Sequence, residues 1–324
     1  MPRMKPNNYQ YYYEKLTLSE QESYRILLES ICEYKRSVTL SSSTTEQVAR
    51  VNKAIRFDHP EIFYLKCIRV ASNQMISMTV VFMDYRFDKA TIKAILAEMR
   101  KRTDPFISQI RSLPEYERIK RIHDHLAHLF SYKDYEEPYS HEAPGAILYG
   151  IAVCEGVAKA FKYLADRANI RSIIVSGEGE QSEEHAWNIV CISNQSYHVD
   201  VTFDAVLSSR ETRYDYFLLS DKQISQDHTW EDAPMCRDNF DYYEDIGHLV
   251  RNRHELSALI KTNLITDHSL AFQLPILNTE TEALISAITE LISTSIPQEI
   301  QATHNLHMSY NLRRMVFCIE LSNQ

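Results

Sequence analysis

The chain is poor in glycine, which supplies six of its 324 residues. Five of the six fall within one short stretch, at positions 145, 150, 156, 177 and 179. Glycine is used where the backbone bends unusually or where another group must come close to it. The clustering therefore marks residues 145–179 as a region with special backbone requirements.

Long apolar runs and an excess of positive charge are also missing. No stretch approaches the roughly 18 apolar residues of a transmembrane helix, and the N-terminus has no apolar segment of signal-peptide length. These absences predict a cytoplasmic protein with no membrane partner. The formal net charge is -9, which argues against nucleic acid as the main partner because phosphate binding requires a basic surface.

Closely spaced cysteine pairs are absent as well. The six cysteines are scattered and form no CxxC pair, so the sequence predicts neither a zinc site nor a disulfide framework. Free thiols in a reducing compartment fit this spacing, and no cofactor is expected. Five of the cysteines are expected to be small apolar fillers, whereas Cys154 has different surroundings.

Cys154 lies in the segment YGIAVCEGVAKAF, residues 149–161, inside the glycine-rich region. Val157, Ala160 and Leu164 recur at helical spacing, which predicts a helix that begins near the cysteine. A helix N-terminus is partially positive and favours a thiolate. Its unpaired N–H groups can donate to a developing oxyanion. The pattern therefore predicts a cysteine nucleophile.

A nucleophilic thiolate needs a base, and the base needs an orienting group. The segments HAWNIVCIS and SYHVDVTF predict two strands of a hairpin, with His185 on the first and Asp200 on the second. A tight turn at Asn194 and Gln195 would place His185 opposite Asp204. Because side chains alternate along a strand, Asp200 and Asp204 both point to the face that His185 uses. These residues alone leave the orienting carboxylate open between the two.

These segments resemble the transglutaminase-like superfamily, and above all its bacterial members. The motifs VCEGVAKAFKYLADRANI, EEHAWNIV and YHVDVTFD occur in the family's order, within residues 115–230. The resemblance implies a Cys-His-Asp triad on a papain-like fold, with Cys154 as nucleophile, His185 as base and Asp200 as orienting group. The chain departs from the family pattern at Val157, where an aromatic residue is frequent.

The resemblance implies an α+β fold with a papain- or transglutaminase-like core, in which the nucleophile helix packs on an antiparallel sheet. Helical and strand patterns at both ends predict αβ extensions of this core. The predicted division is an N-terminal helical and β-hairpin/helix extension over residues 1–110, the catalytic core over 111–235 and a C-terminal αβ extension over 236–324.

Trp187 and Tyr149 are the candidate substrate contacts, and Tyr149 is also placed to aid an oxyanion hole. Packing is the favoured alternative for both residues, in the case of Trp187 beside the site. The segment HDHLAH, residues 123–128, has histidines at metal-like spacing on a predicted helix. They spread around the helix and nothing completes a set of four ligands, so the sequence predicts structural polar contacts there and no metal site.

The reaction implied by the resemblance is thiol-dependent acyl transfer on a protein or peptide substrate. With water as acceptor the chain is a cysteine peptidase or amidase, which is the favoured interpretation. With a lysine amine as acceptor it crosslinks proteins by transamidation of glutamine. A non-catalytic binding module that retains the fold is the third interpretation, and the complete set of three motifs argues against it.

Overall fold

The computed structural model describes residues 9–41, 43–73, 78–133, 139–275 and 281–323. Helices and mostly antiparallel sheets alternate along the chain, which confirms the predicted α+β class. Within these ranges no helix combines the length and the apolar character that a bilayer crossing requires.

The N-terminal part contains helices and one small sheet. Its elements are α1 (Tyr11–Lys15), α2 (Leu18–Cys32), β1 (Ser37–Ser41), α3 (Thr45–Asp58), β2 (Leu65–Asn73), β3 (Met78–Tyr85) and α4 (Lys89–Ile110). The strands are antiparallel in the order β1-β3-β2. Thr17 and Thr44 begin α2 and α3 with capping boxes, which satisfy the free amides of the first turn. The apolar side chains of this part join the same buried cluster as those of the middle of the chain.

The middle of the chain forms a five-stranded antiparallel sheet with helices packed against it. Its elements are α5 (Glu115–Ala127), β4 (Ser131–Tyr132), a π-helical turn (Gly145–Tyr149), β5 (Ile151–Ala152), α6 (Cys154–Arg167), β6 (Ser172–Glu178), a 3-10 turn (Glu180–Ser182), β7 (Glu184–Ile192), β8 (Gln195–Val199), α7 (Val201–Leu207), β9 (Phe217–Leu219), α8 (Asp221–Ile224) and β10 (Thr229–Trp230). The strand order is β10-β6-β7-β8-β9, and every neighbouring pair is antiparallel.

Helix α6 packs on β6 and β7. The buried Asn188 side chain ties the helix to the sheet, because its Nδ2 donates to the carbonyl of Ala158 on α6 at 3.0 Å and to that of Ile173 on β6 at 3.1 Å. Such bonds fix the helix position more narrowly than apolar packing does. The nucleophile helix on an antiparallel sheet is therefore present as predicted.

The β7–β8 hairpin turns one residue earlier than predicted. Ile192 pairs with Gln195, and the turn residues Ser193 and Asn194 have positive φ values of 48 and 69, as a tight hairpin turn requires. Every cross-strand partner therefore moves by two positions. Two positions are a full period of a strand, so His185 still points to the predicted face.

The second strand of that hairpin is shorter than predicted. It ends at Val199, and residues 201–207 are helical instead of continuing the strand. The reason is local, since the Asp200 side chain accepts hydrogen bonds from the amides of Thr202 and Phe203 and so caps α7. The predicted strand over 201–203, which carried the argument for Asp204, is wrong.

The C-terminal part has a sheet and an apolar cluster of its own. Its elements are α9 (Tyr242–Asp245), α10 (Arg253–Leu259), a π-helical turn (Ile260–Leu264), α11 (Ile265–Asp267), β11 (Ser269–Gln273), α12 (Thr281–Ser295), α13 (Gln298–Gln301), β12 (His304–Asn311) and β13 (Val316–Asn323). The sheet order is β11-β13-β12. Arg314 attaches this sheet to the middle of the chain by donating to the carbonyls of Asp215 and Gln223. The division of the chain at residues 110 and 235 stays a prediction.

Gly156 on α6 is required by the loop that crosses the helix. A Cβ atom at this position would lie 2.2 Å from the carbonyl oxygen of Ser140. Real Cβ atoms do not approach a backbone oxygen so closely, and a backbone carbonyl cannot rotate away as a side chain can. The glycine therefore lets residues 139–142 lie directly on the nucleophile helix.

We expect Gly156→Ala to lower the free energy of unfolding by about 1–3 kcal/mol, because the overpacking outweighs the better helix propensity of alanine. Urea unfolding followed by circular dichroism measures this change. Gly179→Ala is the control, since its Cβ would come no closer than 3.3 Å to a side chain. Equal loss in both variants would contradict the role given to Ser140.

Candidate active site

Cys154 occupies the first position of α6. The preceding N-cap residue, Val153, makes no side-chain capping hydrogen bond, so the amides of the first turn have no side-chain partner from the cap. These amides and the helix dipole place partial positive charge near the sulfur. Cys154 is half-buried, and its side chain lies close enough to His185 to raise the pKa of that imidazole.

His185 is the second residue of β7 and lies opposite Gly177 of β6. Its Nε2 is 2.6 Å from Oδ2 of Asp200, which leaves Nδ1 as the ring nitrogen for Cys154. Burial disfavours the charged ring, but the charge of Asp200 and its hydrogen bond, together with Cys154, raise the pKa of His185 to about 10. The imidazole is therefore protonated at neutral pH and places a positive charge beside Cys154.

Asp200 lies at the junction of β8 and α7 and is fully buried. Its Oδ1 accepts hydrogen bonds from the amides of Thr202 and Phe203 at 2.9 and 3.1 Å. Burial opposes ionisation, but the charges of His185 and His228 and their hydrogen bonds hold the pKa of this carboxyl well below its usual range. Asp200 is therefore an ionised carboxylate that is hydrogen-bonded to the imidazole of His185.

Asp204, the other candidate for the orienting group, has different partners. One carboxylate oxygen lies 3.0 Å from Nε2 of His123, and the other accepts the amide of Tyr216 at 3.0 Å. Burial raises the pKa of Asp204 to about 7. Because α7 replaces the expected strand, Asp204 lies one helical turn beyond Asp200, and the structure places Asp200 at His185.

His228 is a site residue that the sequence analysis did not identify. Its Nε2 lies 3.1 Å from Oδ2 of Asp200, and its Nδ1 lies 2.6 Å from Oδ1 of Asp227. Burial opposes protonation of this ring, but the two carboxylates raise the pKa of His228. Asp227 in turn accepts the hydroxyl of Tyr216 at 2.6 Å. Asp200 is thus held between two imidazoles.

The only signal for His228 in the sequence is its place in the segment YFLLSDKQISQDHTW, residues 216–230. It follows Asp200 by 28 residues. No local spacing rule connects residues that far apart, because the contact depends on how β10 returns to the sheet beside β6. Only the folded chain brings the two side chains together.

The two predicted substrate contacts differ in accessibility. Trp187 is 1% exposed, stacks on His185 with ring centroids 5.8 Å apart and donates from Nε1 to Nδ1 of His198 at 2.9 Å. A ring buried this far offers no surface to a substrate, so Trp187 supports the imidazole from inside the fold. Tyr149 is 46% exposed and packs on Tyr139 at 4.4 Å, so a substrate can reach it.

The three histidines of the segment 123–128 have three separate partners. His123 contacts Asp204 as described, His125 stacks on Phe106 with centroids 4.2 Å apart, and Nε2 of His128 lies 2.7 Å from the hydroxyl of Thr212. Their side chains diverge around the helix. His123 therefore makes a structural polar contact, as the sequence predicted, whereas His125 is a packing residue.

Two groups within the described ranges have ligand-type atoms close enough together for a metal ion: His185, Asp200 and His228, and His198, Asp221 and Cys236. In the second group, Nδ1 of His198 accepts the indole N–H of Trp187, so the proton is on Nε2, which faces Asp221 at 2.9 Å. A protonated nitrogen cannot ligate a metal. In the first group Asp200 is already shared by two imidazoles and two amides. Both groups fit hydrogen-bond networks.

We expect the contribution of the His185–Asp200 pair to the stability of the fold to decrease at alkaline pH. His185 has a higher pKa when folded than its ordinary value of about 6.5, so its stabilisation is complete below that value and is lost as pH rises towards about 10. Thermal unfolding between pH 6 and 10 measures this. The difference in Tm between the native chain and His185→Gln should shrink as pH rises, and a difference that grows would contradict the ion pair.

Comparison with known families agrees with this geometry. Residues 106–201 match the family model described as the Transglutaminase-like superfamily. The matched segment contains Cys154, His185 and Asp200. The match confirms the resemblance predicted from the sequence for the middle of the chain. The comparison with curated proteins gave no match.

Solved structures include distant matches. A TGase structure shares 13% identity over 70% of this chain and 67% of its own, with a TM-score of 0.34. A candidate cysteine protease from Cytophaga hutchinsonii shares 13% identity over 42% of this chain, with a TM-score of 0.29. This chain covers 61% of the length of the Cytophaga protein. A candidate protease from Parabacteroides distasonis shares 11% identity over 42% of this chain and 36% of its own, with a TM-score of 0.25.

Proposed function

We propose that the transglutaminase-like core of this chain catalyses thiol-dependent acyl transfer, and that it hydrolyses peptide or amide bonds. The observation that carries the proposal is that Cys154 lies beside His185 and that Nε2 of His185 is 2.6 Å from Oδ2 of Asp200. Nucleophile, base and orienting group in contact are what this reaction class needs. The cytoplasmic location predicted from the sequence is part of the proposal.

In the first step the Cys154 thiolate attacks the carbonyl carbon of the substrate. The amides at the N-terminus of α6 stabilise the negative oxygen that forms. The intermediate then collapses as the C–N bond breaks, and the His185 imidazolium gives its proton to the leaving nitrogen. The products of this step are a thioester on Cys154 and a free amine.

In the second step His185, now neutral, takes a proton from water. The hydroxide oxygen attacks the thioester carbonyl, the C–S bond breaks, and a carboxylic acid leaves with Cys154 again a thiolate. If a lysine amine replaces the water, the product is an isopeptide bond. We favour water, because hydrolysis requires no second protein to be bound at the thioester.

Alkylation by iodoacetamide tests for the activated thiol. We expect Cys154 to react at neutral pH faster than Cys67, which is the exposed cysteine of the described residues. Burial raises the pKa of Cys32 to about 11 and of Cys318 to about 12, so these remain unreactive thiols. Mass spectrometry of tryptic peptides gives the rate at each cysteine. Equal rates at Cys154 and Cys67 would overturn the proposal in favour of a binding module.

A further inference from the structure

A cleft of about 630 Å³ opens beside the imidazole of His185. One wall is residues 179–184, which link β6 to the start of β7, a second is α7, and a third is residues 310–313, at the end of β12 and in the turn that follows it. The C-terminal part of the chain therefore completes a cleft that begins at the proposed catalytic base. The cleft is large enough for several side chains of a bound polypeptide.

The position of the cleft indicates which part of the substrate enters it. His185 lines the cleft, whereas Cys154 is not among the described residues that do. In acyl transfer the sulfur contacts the carbonyl carbon and the imidazole contacts the leaving nitrogen. A cleft that reaches the imidazole without reaching the sulfur is therefore placed for the segment that carries the leaving nitrogen.

The floor of the cleft is apolar and accessible. Val206 is 63% exposed and Tyr310 is 42% exposed, and both line the cleft with Phe203, Leu207 and Leu312. When an apolar group displaces water from exposed aliphatic and aromatic side chains in a cleft, burial of apolar surface stabilises the complex. The floor therefore fits an apolar side chain.

The rim of the cleft carries unbalanced negative charge. Glu180, Glu183, Glu184 and Arg313 line it. Arg313 is paired with Glu180 at 3.0 Å, whereas no ion pair within the described part of the chain engages Glu183 or Glu184. Glu184 lies opposite Glu178 on β6 and next to His185 on β7, so its side chain points to the other face of the sheet, and Glu183 is the carboxylate on the side of the cleft.

We propose that this cleft binds the leaving-group side of a polypeptide substrate and selects an apolar side chain accompanied by a lysine or arginine. The inference rests on the acyl-transfer function proposed above. The basic side chain is held at the rim by Glu183, and the apolar one lies on the floor at Val206 and Tyr310. If the acceptor is an amine instead of water, the same rim receives that cationic amine.

The C-terminal hairpin, formed by β12 and β13, is hydrogen-bonded to the segments that hold the proposed catalytic residues. Besides its pair with Glu180, Arg313 donates to the carbonyl of Gln226 at 2.9 Å. Asn311 donates to the hydroxyl of Tyr216 at 3.2 Å, and that hydroxyl is bonded to Asp227. The hairpin is thus fixed both to the rim of the cleft and to the residues behind His228. The C-terminal part therefore acts as a specificity element.

A proteome-derived peptide library tests the inference. The library is incubated with the native chain, and the residues that follow each new N-terminus are identified by mass spectrometry. We expect lysine and arginine to be enriched in the first few positions. Glu183→Gln should reduce this enrichment by about threefold, the scale of one partly exposed ion pair. New isopeptide bonds in place of new N-termini would assign the rim to an amine acceptor, whose preference for cationic amines the same variant should weaken.

The control is Glu282→Gln, which makes the same change of net charge at an exposed position of α12 outside the cleft. It should retain the enrichment. Iodoacetamide reactivity of Cys154 in each variant reports separately on the activated thiol. Cleavage without basic preference in the native chain, or an unchanged preference in Glu183→Gln, would overturn this inference alone. If iodoacetamide labels Cys154 of the native chain no faster than Cys67, the proposed function is overturned and this inference with it.

Discussion

Cys154→Ala is expected to lower the rate of product formation by at least about 10⁴-fold, to the level without enzyme. Alanine has no nucleophile, and no neighbouring group within the site can form the thioester in its place. The remaining amides of α6 and the imidazole can orient a substrate but cannot form the covalent intermediate. Products are counted in a proteome incubated with native or variant chain, as new N-termini for hydrolysis or as isopeptide links for transamidation.

Cys67→Ala is the matched control for that experiment. It removes an exposed thiol whose sulfur lies 3.5 Å from Asp84 rather than beside an imidazole. We expect the product yield of this variant to equal that of the native chain. If neither new N-termini nor isopeptide links depend on Cys154, both enzymatic interpretations fail and the non-catalytic module remains.

Asp200→Asn is expected to lower the rate by about 10³-fold. This loss is larger than that from one missing hydrogen bond and smaller than that from a histidine held entirely in the wrong tautomer. The carboxylate uses both oxygens, one for two backbone amides and one for two imidazoles. An asparagine side chain has only one oxygen. Its NH₂ group must therefore face either the two backbone amides of α7 or the Nε2 atoms of His185 and His228. The first orientation removes the cap of α7, and the second forces His185 to carry its proton on Nδ1.

The matched control is Asp204→Asn, in the neighbouring buried carboxylate. Burial raises the pKa of Asp204 to about 7, so a neutral amide resembles a form that the native side chain already adopts. We expect its rate to stay within about fivefold of the native chain, with Tm measured for both variants. A larger loss in Asp204→Asn than in Asp200→Asn would reverse the assignment of the orienting group.

The elements that the sequence predicted well are those with local causes. The helix after Cys154 follows from apolar residues at helical spacing, and it packs on β6 and β7 as expected. The hairpin that carries His185 was also predicted, and its one-residue error in the turn left the face of His185 unchanged. The error at residues 201–207 arose because an aspartate can lie on a strand or cap a helix, and the strand pattern hid the second choice.

The sequence by itself determined the kinds of chemical group at the site, since the cysteine at a helix start, the histidine on a strand and the aspartate after the next strand are local features. Only the tertiary structure decided which carboxylate meets His185, that His228 shares it, and that the C-terminal hairpin closes an acidic-rimmed cleft beside the imidazole. Those contacts join residues far apart in the chain. They depend on strand stagger, on where α7 begins and on how separate segments pack, and no local spacing of residues specifies them.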